Sequence, residues 1–223
     1  GRLSRASMKG TFSGGKMHEF FSVNKDLFIR SLCLISVYLG FSAISARFGD
    51  VLLASCSIMM KLLMIFSYFS DGFAFAGEAL TGRFVGSRDS SGLRRTVRLT
   101  FAWSMGIGLL FVGIYSLWGM PMFRLMTEDA AVLDASSAFL PWLVLIPIVG
   151  CPAFTWDGIY IGATATRQMR DSNIWCAVSF FAVWFVGRQF LSHEGNVPVH
   201  LLFAAYYTHL IVRSLYQSAF YRR

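Results

Sequence analysis

The sequence has 223 residues, of which 55% are hydrophobic, 16% are aromatic and only 14% are charged, and its mean hydropathy is +0.55. This composition excludes an ordinary soluble domain and indicates a helical membrane protein. The net charge of +8 does not indicate a protein that binds nucleic acid, because the basic residues are spread along the chain without a nucleic-acid-binding motif.

Long uncharged runs predict where the chain crosses the membrane. Residues 99–123 and 135–156 contain no charged side chain, and each run is long enough to cross a hydrocarbon core about 30 Å thick. Shorter uncharged runs reach this length once flanking side chains that can snorkel are included. The sequence therefore predicts an all-α integral membrane fold with six spanning helices, at 26–46, 50–82, 95–120, 135–166, 173–190 and 199–219.

The distribution of basic residues predicts the orientation of these helices. If the first helix starts in the cytoplasm, 14 of the 20 Lys and Arg residues lie in cytoplasmic segments. Such an excess is the usual positive-inside pattern. We therefore expect a multi-pass protein of the cell (inner) membrane with both ends of this segment in the cytoplasm. Residues 1–24 are predicted to form a cytoplasmic linker, and residues 25–223 the six-helix bundle.

Glycine, proline and acidic residues predict several helix boundaries. The pair Gly14-Gly15 is expected to interrupt any helix in the linker, and Pro121 is expected to end the third helix. The segment 127–134 predicts a short amphipathic helix outside the membrane, because a threonine is followed by acids. The fourth span is expected to be kinked or broken because it contains three prolines, Pro141, Pro147 and Pro152.

Two acidic residues interrupt the second span. Asp71 and Glu78 are seven residues apart, so they share one helix face at a spacing of about 10 Å. Carboxylates inside a membrane are costly when ionised. Such a side chain is therefore suited to taking up a proton or binding a coupling cation. The structural alternative is that both side chains hydrogen-bond backbone groups left free by the proline-rich fourth helix.

Asp157 is predicted to be the deepest acid in the membrane. It lies about ten residues, roughly 15 Å, before the basic end of the predicted fourth span. Beside it, Gly158 and Gly162 form a G-x-x-x-G pattern that lets another backbone approach closely. The functional hypothesis is proton or ion binding at Asp157. The structural alternative is an interhelical salt bridge, with Lys61 or Arg213 as its partner.

No pattern in the sequence is typical of an enzyme or of a metal protein. Ser/His/Asp, H-E-x-x-H and phosphate-loop arrangements are absent from the sequence. The four cysteines lie singly in apolar segments without C-x-x-C spacing. We therefore expect no enzymatic activity, no metal and no cofactor.

Three separated segments of the sequence resemble one known family. They are K-D-L-F-I-R-S-L-C at 25–33, F-S-Y-F-S-D-G-F-A-F-A-G-E-A-L at 66–80 and F-T-W-D-G-I-Y-I-G-A-T at 154–164. Together they resemble the MATE (multidrug and toxic compound extrusion) family, and most of all its branch named for the DNA-damage-inducible protein F. The resemblance covers roughly residues 20–220.

The resemblance implies a secondary antiporter that exports cationic or amphipathic compounds in exchange for H⁺ or Na⁺. Such transporters have twelve helices in two six-helix lobes, so this chain would be the carboxyl-terminal lobe. Its partners would be the amino-terminal lobe, membrane lipid and small organic substrates, with no nucleic acid among them. An even number of helices per lobe fits parallel repeats, since both halves then enter the membrane from the same side.

The same resemblance implies roles for particular residues. Asp71, Glu78 and Asp157 fall on acidic positions of the second lobe and are the candidates for transport or ion coupling. The candidates for the pathway or for packing are Lys61, Tyr68, Gly72, Gly158, Tyr160 and Gly162. Lys61 departs from the neutral residue expected at its position, which leaves the charge preference for the substrate open. Two alternatives remain, a flippase for lipid-linked precursors of the same superfamily and a membrane scaffold that does not transport.

Overall fold

The computed structural model describes residues 14–191 and 195–221, and this part of the chain contains six α-helices and no strand. The helices are α1 (Gly14–Ser45), α2 (Asp50–Gly86), α3 (Ser90–Met126), α4 (Ala130–Gly162), α5 (Thr166–Phe190) and α6 (Val197–Tyr221). A 3₁₀ turn, Ala46–Phe48, leads from α1 to α2. The prediction of an all-α, six-helix membrane bundle is confirmed.

Helix length and composition agree with a membrane location. Four helices are long and apolar enough to cross a bilayer: α1 from Phe21 through the turn to Phe48, α2, α3 and α4. With 37 residues each, α2 and α3 are about 55 Å long, well beyond a hydrocarbon core of about 30 Å, so they must tilt or protrude. The 25-residue helices α5 and α6 are about 37 Å long, which is also sufficient for a crossing.

Two predicted helix boundaries are wrong in the middle of the chain. Pro121 does not end α3, which continues to Met126, because Phe123 is fully buried and holds the last turn against the core. A separate amphipathic helix does not form at 127–134. Instead Asp129 caps α4 directly, since its carboxylate accepts a 2.8 Å hydrogen bond from the backbone N–H of Ala131.

The other end of α4 also differs from its prediction. The helix ends at Gly162 and not at residue 166, because residues 163–165 form the turn to α5 with Thr164 at a φ of 54°. Asp157 therefore lies only about five residues, roughly 8 Å, from the end of its helix. It is closer to the end of its helix than the sequence indicated.

The prolines do not break α4, which is a single continuous helix through Pro141, Pro147 and Pro152. Within this proline-rich stretch α6 packs closely on α4, since the Tyr207 hydroxyl on α6 donates to the carbonyl oxygen of Trp142. The expected break is therefore wrong, and the kink expected as its alternative stays a prediction.

The first helix begins earlier than predicted. Residues 14–24 of the predicted linker already belong to α1. Gly14 and Gly15 are helical, so they do not interrupt the helix as expected. Residues 1–13 of the predicted linker lie outside the described residues.

The six helices pack as two groups of three. In one group, α2 and α3 both pack along α4; in the other, α1 packs along α5, which packs along α6. The groups meet mainly through α4 and α6. Asp26 strengthens the second group, because this buried carboxylate on α1 accepts a 2.6 Å hydrogen bond from Arg170 on α5.

A close helix contact forms where α4 crosses α2. A Cβ atom on Gly158 would lie 2.7 Å from the carbonyl carbon of Ala74, and one on Gly162 would lie 2.9 Å from that of Glu78. Both distances are too short for a real Cβ atom. This is the backbone approach expected of a G-x-x-x-G pattern, and it brings α4, with the neighbouring Asp157, close to α2.

Asp89 caps the start of α3, and this cap leads to a pH-dependent prediction. Its carboxylate accepts 3.0 Å hydrogen bonds from the backbone N–H groups of Gly92 and Ser91, and these bonds hold the pKa of Asp89 below its usual value. The stabilisation is therefore present at neutral pH and is lost as the pH falls through that lowered pKa. We expect the hydrogen-exchange protection of residues 90–93, corrected for intrinsic exchange rates, to fall in acid.

Two variants at this cap provide the controls. Asp89→Ala should show low protection at neutral pH that changes little in acid, because the acceptor is missing. Asp89→Asn should keep its protection in acid, because the amide oxygen still accepts the same hydrogen bonds. Unchanged protection of the wild-type residues in acid would contradict the role given to the carboxylate.

Candidate functional site

A buried carboxylate, Asp157 on α4, is surrounded by hydrogen-bond donors from two other helices. From α6, Arg213 donates through its Nε atom at 3.1 Å and through a terminal nitrogen, and Gln217 donates through its amide at 3.1 Å. From α1, a terminal nitrogen of Arg30 lies 2.5 Å from the same carboxylate. Both oxygens of Asp157 are therefore occupied by protein donors.

Helix periodicity explains why these donors meet. Arg213 and Gln217 are four residues apart on α6, so they share one helix face and both reach α4. The close α2–α4 contact at Gly158 leaves Asp157, the preceding residue, directed toward α1 and α6. Arg213 is only 3% exposed, and an arginine this deeply buried requires an anionic partner.

A second carboxylate, Asp71 on α2, lies beside the same arginines. It interacts electrostatically with Arg213 and Arg30, and Ser67, one turn earlier on α2, is within hydrogen-bonding reach of it. Asp71 is half-buried, and it forms no direct ion pair among the described residues. It is thus the more accessible of the two carboxylates.

A cavity of about 320 Å³ separates the two helix groups at this cluster. Its charged lining residues are Arg30, Asp71, Asp157 and Arg213. Its other lining residues are mainly apolar or aromatic, and they come from α1, α2, α4 and α6: Leu34, Val37, Tyr38, Met60, Leu63, Met64, Phe154, Tyr206, His209 and Leu210, together with Ser67. A mixed cavity with a few convergent polar groups is the usual form of a small-molecule site.

The remaining predicted site residues do not join this cavity. Glu78 is partly exposed two turns beyond Asp71, and its backbone lies against Gly162. Lys61 is exposed and has no ion pair in the described ranges, so it is not the partner of Asp157. Tyr68 is 69% exposed, and nothing lies within 4 Å of a Cβ atom built on Gly72.

Tyr160 has a packing role in this structure. Its buried hydroxyl donates a 2.7 Å hydrogen bond to the backbone carbonyl oxygen of Gln217, which fixes α4 against α6 next to the charged cluster.

Two members of the cluster, Arg30 and Gln217, were missed as site residues from the sequence. Arg30 lies within the first predicted span, and a basic residue at such a position is itself a signal for an acidic partner. Gln217 has no comparable signal, because a glutamine near the end of a spanning helix is usual. Only the approach of α6 to α4 identifies it.

Comparison with known proteins assigns the chain to a family. The sequence profile of the MatE family matches residues 27–186, which include α2, α3, α4 and most of α1 and α5. The chain belongs to the MatE family. The MATE resemblance noted in the sequence is therefore confirmed. The charged cluster of this MatE chain includes residues inside the matched region, Arg30, Asp71 and Asp157, and one beyond it, Arg213.

Two curated relatives are similar to this MatE chain. DNA damage-inducible protein F of Escherichia coli (strain K12) is 31% identical over 223 residues, which cover 100% of this chain and 46% of that protein. Protein DETOXIFICATION 42 of Arabidopsis thaliana is 23% identical over 137 residues, which cover 61% of this chain and 27% of that protein. The chain thus spans less than half the length of the curated relatives that it matches.

Proposed function

We propose that this chain is the carboxyl-terminal lobe of a cation-coupled antiporter that exports cationic or amphipathic toxic compounds across the cell (inner) membrane. The observation that carries the proposal is the cavity at Asp71, in which an accessible carboxylate lies inside a membrane bundle of a MatE protein. Intramembrane acids in such positions commonly serve ion or proton pathways. An amino-terminal lobe of similar size would complete the transporter, and both ends of this segment would lie in the cytoplasm.

Within this proposal the two carboxylates have different roles. Asp157 already accepts hydrogen bonds from Arg213, Arg30 and Gln217, so it has little capacity for a further cation. Among the described residues Asp71 has the Ser67 side chain in hydrogen-bonding reach and no ion pair, and it faces the cavity, so it is the better candidate for taking up H⁺ or Na⁺. Glu78 lies outside the cavity lining and is a weaker candidate.

The positions of the charges suggest how coupling would reach the helices. The carboxylates are on α2 and α4, in one helix group, whereas the guanidinium groups are on α1 and α6, in the other. Neutralising Asp71 would weaken the attraction between the groups across the cavity, since Coulomb interactions are strong in a low-dielectric interior. A proton or cation would in this way shift the equilibrium between inward-open and outward-open states.

The test is transport by the full native polypeptide in proteoliposomes. We expect Asp71→Asn to reduce export of a fluorescent amphipathic compound with an ammonium group, driven by an imposed H⁺ or Na⁺ gradient, to the level of protein-free vesicles. The reason is that an amide cannot alternate between charged and neutral forms. Circular dichroism and the amount of inserted protein should be unchanged, because Asp71 is half-buried and forms no direct ion pair among the described residues.

Glu128→Gln is the matched control for this substitution. Glu128 is also acidic, but it is exposed in the turn between α3 and α4, so its loss should leave export unchanged. Wild-type export by Asp71→Asn would refute the role of Asp71. Absence of gradient-driven export by the wild-type protein, together with translocation of a lipid-linked precursor, would favour the flippase alternative.

A further inference from the structure

The charged side chains that face the cavity sum to zero. The lining contains two carboxylates, Asp71 and Asp157, and two guanidinium groups, Arg30 and Arg213. Three other titratable residues, Tyr38, Tyr206 and His209, also line it and carry no formal charge when histidine is counted as neutral. Such a balance is expected in a low-dielectric interior, where an uncompensated charge is costly.

The four charged side chains are not ion-paired to the same extent. Arg213 and Asp157 form a bidentate pair, because the carboxylate accepts from both the Nε atom and a terminal nitrogen. Arg30 donates one terminal N–H to Asp157, while its Nε atom is buried and has no hydrogen-bond partner in the described part of the chain. Asp71 is the remaining counter-charge of the cluster, and it faces the cavity.

This arrangement discriminates between ligands by their charge. A simple cation bound at Asp71 would cancel that carboxylate and leave the cluster with one uncompensated guanidinium group. A simple anion bound at Arg30 would leave one uncompensated carboxylate. A ligand with both a positive and a negative group leaves the sum at zero, and its negative group would meet a guanidinium group that is not fully paired among the described residues.

We propose that the cavity binds small amphoteric molecules, with the ammonium group at Asp71 and the carboxylate at Arg30. The apolar body of the ligand contacts Met60, Met64 and Phe154, and the flexible thioether side chains adapt to different shapes. The entrance lies between α1 and α2, where Tyr38 is 41% exposed and Met64 is 38% exposed. A cavity of about 320 Å³ accommodates a molecule of the size of an aromatic amino acid.

The proposal rests on the proposed export function, because it names the chemical class of cargo that the same cavity would hold. Its test, however, is binding and not transport. The probes are 4-(aminomethyl)benzoate and phenylalanine as zwitterions, 4-methylbenzylammonium as the cation and 4-methylbenzoate as the anion. Affinities are measured by isothermal titration calorimetry at pH 7, with the full native polypeptide in lipid nanodiscs.

We expect at least one zwitterion to bind at least about tenfold more tightly than either singly charged probe. The reason is that both the ammonium group and the carboxylate of the zwitterion make charge-assisted hydrogen bonds. Two variants should then change the order of affinities in opposite directions. Asp71→Asn should weaken binding of the zwitterion and strengthen binding of the anion. Arg30→Gln should weaken binding of the zwitterion and strengthen binding of the cation. A variant that fails to fold would weaken all the probes, so a reversed order cannot arise from unfolding.

Arg188→Gln is the matched control. Arg188 is an exposed arginine near the end of α5, and it lines a different cavity. It should leave every affinity unchanged. Equal or tighter binding of the cation in the wild-type protein would overturn the proposal, and so would an anion affinity that does not rise in Asp71→Asn. If the expected binding pattern appeared without gradient-driven export, only the proposed function would be wrong. If export occurred without this binding pattern, only the present inference would be wrong.

Discussion

Replacing Asp157 by alanine should destabilise the protein by about 3–5 kcal/mol, because it leaves the buried guanidinium of Arg213 without its partner. The loss should appear in the free energy of unfolding, measured by circular dichroism during denaturation in mixed micelles. Exposed ion pairs contribute much less than this, and Arg213 is only 3% exposed. The double variant Asp157→Leu, Arg213→Met should recover part of the loss, since apolar side chains replace the buried pair while Arg30 and Gln217 still lose their acceptor.

Lys61→Ala is the control for this experiment. Lys61 is also a charged residue within a predicted span, but it is exposed, so its removal leaves no buried charge unpaired and should cause no loss in the free energy of unfolding. If Asp157→Ala were as stable as Lys61→Ala, the cluster would not hold the two helix groups together. If the double variant were no more stable than Asp157→Ala, the loss would not come from the unpaired arginine.

Replacing Gly158 by alanine should separate α4 from α2 and destabilise the protein by about 3 kcal/mol, the upper part of the usual range for an overpacked core. The added Cβ atom would meet the backbone of Ala74, which cannot rotate away as a flexible side chain could. The same unfolding assay measures the effect. Gly162→Ala should behave similarly, because its Cβ atom would meet the backbone of Glu78.

Gly113→Ala provides a matched substitution on α3. Nothing lies within 4 Å of a Cβ atom at Gly113, so alanine there should be neutral, or stabilising by up to about 1 kcal/mol through its higher helix propensity. A wild-type stability for Gly158→Ala would show that α2 and α4 do not approach as closely as described. A loss in Gly113→Ala equal to that in Gly158→Ala would remove the packing explanation.

The two substitutions concern different contacts of the same segment. Gly158 attaches α4 to α2 within one helix group, and its neighbour Asp157 attaches α4 to α1 and α6 in the other group. A movement of the groups relative to each other would therefore have to change the partners of Asp157, while the glycine contact keeps α2 and α4 together. The cavity at Asp71 lies where such a movement would open or close it.

Helix boundaries show which local signals were sufficient. The spans predicted at 50–82 and 95–120 leave a loop between them, and the structure has one there with Asp89 as the cap of α3. Pro121 was a misleading signal, because one lost hydrogen bond near a helix end costs less than exposing a buried aromatic ring such as Phe123. Boundaries that depend on tertiary burial are not visible in local sequence.

The sequence by itself determined the membrane class, the six helices of the described part of the chain and the family, because uncharged length, charge and motif order are properties of the chain alone. It also indicated the close approach at Gly158 and one correct partner for Asp157, Arg213. Only the tertiary structure decided that Arg30 and Gln217 join them, and that Asp71 shares the cavity whereas Glu78 and Lys61 do not. The physical reason is that ion pairing depends on which faces of distant helices meet, and that follows from the packing of the whole bundle.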